Sequence, residues 1–99
     1  MNDLIEKVEQ WFVDRGLQNA DPNKQMLKLF EELGELASGM ARNDTEIIVD
    51  SIGDTLVVLI GLCMQLDLDI TESLEIAYNE IKDRKGKLIN GVFVKESDL

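Results

Sequence analysis

The 99-residue sequence has no histidine, a single cysteine, a single proline, and half as many basic as acidic residues. Without histidine there is no Ser-His-Asp or Cys-His catalytic unit and no histidine-bearing zinc site. The lone Cys63 closes no disulfide within the chain, so nothing demands an oxidising compartment. Ten Lys and Arg against 20 Asp and Glu give a formal charge of −10, which argues against a binder of nucleic-acid polymers or anionic membranes. The segment Met1 to Lys7 alternates charged and apolar residues and has no signal-peptide core. The most apolar stretch, Leu56 to Met64, is too short to span a bilayer. These features predict a soluble, cytoplasmic protein whose chemistry rests on carboxylates, a few cations and a hard metal ion.

A composition of 44% hydrophobic and 30% charged residues is that of an ordered globular chain, and the length predicts one domain over residues 1–99. Leu4, Ile5, Val8, Trp11 and Phe12 share one helix face, which predicts a first helix ended by Gly16. Asp21-Pro22 is an N-cap followed by proline at the first helical position. The second helix is predicted from Pro22 to about Arg42, with Met26, Leu29, Phe30, Leu33, Leu36, Ala37 and Met40 apolar. After a break at Asn43-Asp44-Thr45, with Asp44 or Thr45 as cap, a third helix runs to Leu66. Its apolar residues point in nearly every direction, so it must be buried all round. Asp69-x-x-Glu72 resembles a capping box and starts a fourth helix, carrying Leu74, Ile76, Ala77 and Ile81, that stops at Gly86.

Asn90-Gly91 between apolar pairs is a hairpin signal in the tail over residues 88–99, with an extended strap as the alternative. The fold class is therefore all-α, a four-helix-type bundle with an extended or hairpin tail. The third helix, about 33 Å long at 1.5 Å per residue, is too apolar to be covered by its own chain's helices. A bundle completed by oligomerisation, as a homodimer or homotetramer, is expected.

The chemistry concentrates on two helices. Glu31, Glu32 and Glu35 lie three or four residues apart on the second helix, as Asp50 and Asp54 do on the third. A run of acids on a helix surface is usually a solvated face. Asp50 and Asp54, however, sit in the most apolar helix, where bare anions are costly to bury. Two facing helices offering carboxylates make a cage of oxygen ligands, which suits Mg²⁺ or Mn²⁺.

Glu31-Glu32-Leu33-Gly34-Glu35, followed after fifteen residues by Ser51-Ile52-Gly53-Asp54-Thr55-Leu56, resembles the Glu-x-x-Glu … Glu-x-x-Asp signature of the MazG-like all-α nucleoside triphosphate pyrophosphohydrolases. The resemblance extends through the fourth helix to Asn79-Glu80-Ile81-Lys82-Asp83-Arg84-Lys85. It implies a MazG-like bundle that hydrolyses a (deoxy)nucleoside triphosphate to monophosphate and pyrophosphate with Mg²⁺, in nucleotide-pool cleaning. Carried over by position, Glu32, Glu35 and Asp54 match metal ligands. Ser51 stands where the family has a third metal-binding glutamate, and Asp50 is the candidate replacement. Glu31 or Asp50 would orient or deprotonate the attacking water.

Lys82, Arg84, Lys85 and Lys87 cluster at the end of the fourth helix, where they either complement its dipole or grip a triphosphate. Lys28 is a further phosphate candidate or an i, i+4 partner of Glu32, and Asn79 can pair with a base edge. Trp11 and Phe12 can stack on a base, although their spacing is that of core residues. The departure at Ser51 favours the alternative, a non-catalytic helical dimerisation or nucleotide-sensing module that retains the fold.

Overall fold

The computed structural model describes residues 2–99 of the chain. Four α-helices, α1 (Asn2–Asp14), α2 (Pro22–Ala41), α3 (Thr45–Gln65) and α4 (Ile70–Ile81), precede two antiparallel strands, β1 (Gly86–Ile89) and β2 (Val92–Lys95). The all-α class is thus as expected, and the tail takes the hairpin form.

Local chemistry explains the boundaries. The Asp21 carboxylate accepts from the Asn23 amide ahead of Pro22, and Asp44, not Thr45, caps α3 through the Ile47 amide. Helices α2 and α3 end on Asn43 (φ 52°) and Asp67 (φ 57°). In each, the amides of that residue and the next bond back to the last helical turn, the arrangement that satisfies orphan carbonyls. Asp69 caps α4 through Thr71 rather than through a reciprocal box with Glu72. The hairpin turns at Asn90 (φ 50°) and Gly91 (φ 78°), both left-handed as a two-residue turn requires.

Helix α4 ends five residues before the expected stop. The Arg84 amide bonds to the Ile81 carbonyl and the chain turns into β1. Gly86 serves the sheet, since a Cβ there would overlap the Val94 carbonyl.

Helices α2 and α3 form the antiparallel pair at the centre, with α1 and the short helical turn Leu17–Asn19 packed on α3. Gly61 allows this, because a Cβ there would overlap the Phe12 ring and approach Gln25 Nε2 at 2.8 Å. The buried apolar residues are Ile5, Phe12, Leu29, Val58 and Ile60. In α2 the inward stripe is Gln25, Leu29, Glu32, Leu36 and Gly39, with Leu29 and Gly39 buried.

The burial expectations for α2 and for Trp11 are corrected. Met26, Phe30, Leu33 and Met40 form a second, outward stripe of α2 and are exposed. In α3 only Ser51, Val58, Ile60 and Gly61 are buried, while Val49, Ile52 and Leu56, and Leu66 at its C-cap, stay open to solvent, as expected of a helix too apolar for its own chain to cover. Trp11 is half-exposed. The reason is shared: one chain supplies too few helices to surround α3. Helix α4 meets α3 sparsely, with Ile70 beside Leu4, Ile5 and Ile60, and Leu74, Ile76, Tyr78 and Ile81 are exposed. The radius of gyration, 16.3 Å, exceeds the roughly 13 Å of a compact 100-residue domain, as this projecting arm requires. By length and composition α3 could cross a membrane, a longer apolar element than Leu56 to Met64 suggests; in this fold it is the central helix.

Candidate metal and nucleotide site

The close approaches of Gly39 to Ile47 and of Gln25 to Gly61 fix the antiparallel register of α2 and α3. That register sets Glu32 level with Asp54, and Glu35 level with Ser51. The signature halves quoted from the sequence therefore come together across one helix seam.

Glu32 is the unusual member. It lies in the inward stripe between Leu29 and Leu36, only partly exposed, and its Oε2 is shielded from solvent without a hydrogen-bond partner. Burial, then the charges of Glu35 and Asp54, then that of Glu31, push its pKa up; Lys28 alone pulls it down. A carboxylate placed in an apolar seam beside other carboxylates is an unfavourable arrangement for bare anions. A hard cation would relieve it, satisfying the orphaned oxygen and reversing the local field. The donor set, all carboxylate oxygen, fits Mg²⁺ or Mn²⁺.

The fit concerns chemistry and placement. Among the described residues no three His, Cys, Asp or Glu side chains already converge as a finished metal shell. Glu31, Glu35, Asp50 and Asp54 are exposed, so their side chains have freedom to close on an ion. Asp50 is not among the charges that move Glu32. Ser51 is 2% exposed, and its carbonyl accepts from Thr55 Oγ1 at 2.7 Å. The position where the resemblance implies a third glutamate is thus almost wholly enclosed and filled by a small hydroxyl side chain.

Lys28 lies one turn before Glu32 and its charge reaches that carboxylate. Asn79, Lys82, Arg84 and Lys85 lie on the exposed arm, and none of the three cations figures among the charges acting on Glu32. The candidate residues therefore fall into two groups, the carboxylates with Lys28 on the body and the remaining cations with Asn79 on the arm. Two further residues, Gln25 and Gln65, were not singled out from the sequence. Gln25 Nε2 donates to the Val58 carbonyl at 3.1 Å, and Gln65 Nε2 donates to the Leu17 carbonyl at 3.2 Å and Gln25 Oε1 at 3.3 Å. The visible signal was a glutamine at an inward helix position, where an apolar residue would ordinarily stand.

The model of the MazG nucleotide pyrophosphohydrolase domain matches residues 20–89, from the cap of α2 to the end of β1. A protein described as an uncharacterized 18.2 kDa protein in the rep-hol intergenic region of Haemophilus phage HP1 (strain HP1c1) is 47% identical over 70 residues. That alignment covers 70% of this chain and 43% of the phage protein, so the chain spans less than half of that relative. No solved structure matches the chain significantly.

Proposed function

The chain belongs to the MazG nucleotide pyrophosphohydrolase family, and from that premise we propose that it hydrolyses a (deoxy)nucleoside triphosphate to monophosphate and pyrophosphate. Mg²⁺, or Mn²⁺ in its place, would be held by Glu32, Glu35 and Asp54, with Asp50 in the role left open by Ser51. The observation that carries this reading is Glu32, a carboxylate set into the α2–α3 seam with one oxygen unpartnered and Glu35 and Asp54 beside it.

The bound metal supplies charge neutralisation on phosphate oxygens and a more acidic water. Glu31, exposed and one residue from Glu32, orients or deprotonates the attacking water, a role Asp50 shares. With no histidine in the chain, a carboxylate is the available side-chain base. Lys28 holds a phosphate beside the carboxylates. Lys82, Arg84 and Lys85 grip the triphosphate, and Asn79 meets the base, once the arm lies against an α2–α3 face. The exposed outer stripes of α2 and α3 support a homodimer or homotetramer as the working state, in the cytoplasm.

The direct test is incubation of the purified protein with a panel of NTPs and dNTPs, with Mg²⁺ and with EDTA, measuring monophosphate and pyrophosphate. Metal-dependent release of both is the expected outcome. Ser51 favours a second reading, a nucleotide-sensing or dimerisation module without chemistry. Saturable nucleotide binding with no turnover of any substrate would select it.

A further inference from the structure

A cavity of about 190 Å³ opens between α1, the turn Leu17–Asn19, α2 and α3, with Trp11, Phe12, Gln25, Lys28, Val58 and Gln65 among its walls. It adjoins the carboxylates: Lys28 stands one helical turn from Glu32, and Val58 one turn from Asp54. The walls are of two kinds. Trp11 and Phe12, edge to face with centroids 5.3 Å apart, supply aromatic surface. Gln25 and Gln65 supply two amides linked by a hydrogen bond of 3.3 Å.

The amides are incompletely used. Gln65 spends its amino group on the Leu17 carbonyl and on Gln25 Oε1, while its own Oε1 is buried with no donor. A buried acceptor left unmade is costly, and a site built from apolar walls and a few fixed polar groups is the usual form of a small-molecule pocket. The missing partner is an N–H group. Size narrows it further, because a cavity near 150 Å³ accommodates one benzene-sized ring.

We propose that this cavity is a nucleobase subsite selective for pyrimidines, in which Gln65, braced by Gln25, reads the polar edge of the ring. Uracil or thymine offers N3–H to the free amide oxygen, and cytosine offers its N4 amino group. Lys28 then lies on the path from the base to the carboxylates, where the phosphates belong. Gln65 orients the ring, the size of the cavity selects it, and neither takes part in bond breaking.

The inference rests on the nucleotide reading above, and its test separates the two. Trp11 is the chain's one tryptophan, so its fluorescence reports the cavity without turnover or metal. Titration with CMP and UMP is expected to quench it saturably, and AMP and GMP at least about tenfold more weakly, because the second ring of a purine exceeds a cavity sized for one ring. Gln65→Met, close in volume, should weaken CMP and UMP about tenfold, the factor one neutral hydrogen bond supplies; Gln25→Met serves the same purpose if Gln65→Met fails to fold by circular dichroism. Equal quenching by purines and pyrimidines, no quenching by any of the four, or pyrimidine affinity unchanged by the substitution overturns the subsite. Absence of hydrolysis with pyrimidine-selective quenching would remove the catalytic reading and leave the subsite standing.

Discussion

Glu32 of α2 and Asp54 of α3 stand level across the seam between the two longest helices, close enough for the Asp54 charge to raise the Glu32 pKa. The pair works against the packing around it. Leu29 and Val58 are buried in the same core, while two like charges from opposite helices oppose closure. Lys28 is the single cation that offsets them at Glu32. Such a repulsive pair inside a packing interface persists where a bound cation makes it favourable.

The first prediction concerns pH. The folded pKa of Glu32 is raised above its ordinary value of 4.5, so the native state holds its proton more tightly than the unfolded chain does. Its contribution is therefore fully favourable below 4.5 and is lost as pH rises through the folded pKa. Metal-free protein should lose thermal stability over that interval, and Glu32→Gln should remove this part of the pH dependence and melt higher than wild type at pH 7 in EDTA. Mg²⁺ should raise the wild-type Tm and raise that of Glu32→Gln much less. Calorimetry across pH with and without metal measures both.

Glu35→Gln and Asp54→Asn each delete one carboxylate oxygen donor with little change of shape, and both positions are exposed. Turnover should fall more than about 100-fold, beyond the range for losing an outer-shell partner of a metal ligand, while far-ultraviolet circular dichroism stays unchanged. Retained activity in both would move the metal site elsewhere.

The helices and the caps at Asp21, Asp44 and Asp69 were readable because they depend on neighbours within a few residues, as was the Asn90-Gly91 turn. The two carboxylate clusters were legible for the same reason, since i, i+3 and i, i+4 spacing is a property of one helix. Their register was not. Glu32 meets Asp54 because Gly39 and Gly61 let the helices approach, and nothing local separates Gly61, which is closely packed, from Gly53, where a Cβ would meet nothing within 4 Å. Nor could periodicity separate the inner stripe of α2 from the outer one, where Met26, Phe30, Leu33 and Met40 are the more apolar set. The inner stripe holds Gln25 and Glu32 instead, polar residues at inward positions, which is where the proposed site lies.

Packing at Gly61 should tolerate no added methyl. A Cβ would overlap the Phe12 ring and crowd Gln25, and Phe12 is 4% exposed with little room to retreat. Gly61→Ala should destabilise by about 1–3 kcal/mol, the usual cost of overpacking a core. The loss, read by urea denaturation, should be partly recovered in Gly61→Ala with Phe12→Leu.

The outer stripe of α2 gives a test of assembly. Phe30 is 62% and Met40 61% exposed, beside Leu33, which makes a contiguous apolar strip of the kind that marks an interaction surface. Light scattering should find the wild type as a dimer or tetramer, and Phe30→Glu with Leu33→Glu should shift it to the monomer mass. A wild type that is monomeric at tens of micromolar would refute the assembly.

Position 51 gives the sharpest test of the metal reading, because one substitution should have opposite effects with and without the ion. Ser51 is level with Glu35 and almost wholly enclosed. In EDTA, Ser51→Glu forces a carboxylate into that enclosure next to existing negative charge, so the variant should melt below wild type. With Mg²⁺ the same carboxylate completes the family's Glu-x-x-Asp pair, so affinity should rise about tenfold, or roughly 1.4 kcal/mol. The increase in Tm from EDTA to Mg²⁺ should therefore be larger in Ser51→Glu than in wild type. A uniformly destabilised variant, with no greater response to metal, would place position 51 outside the coordination shell.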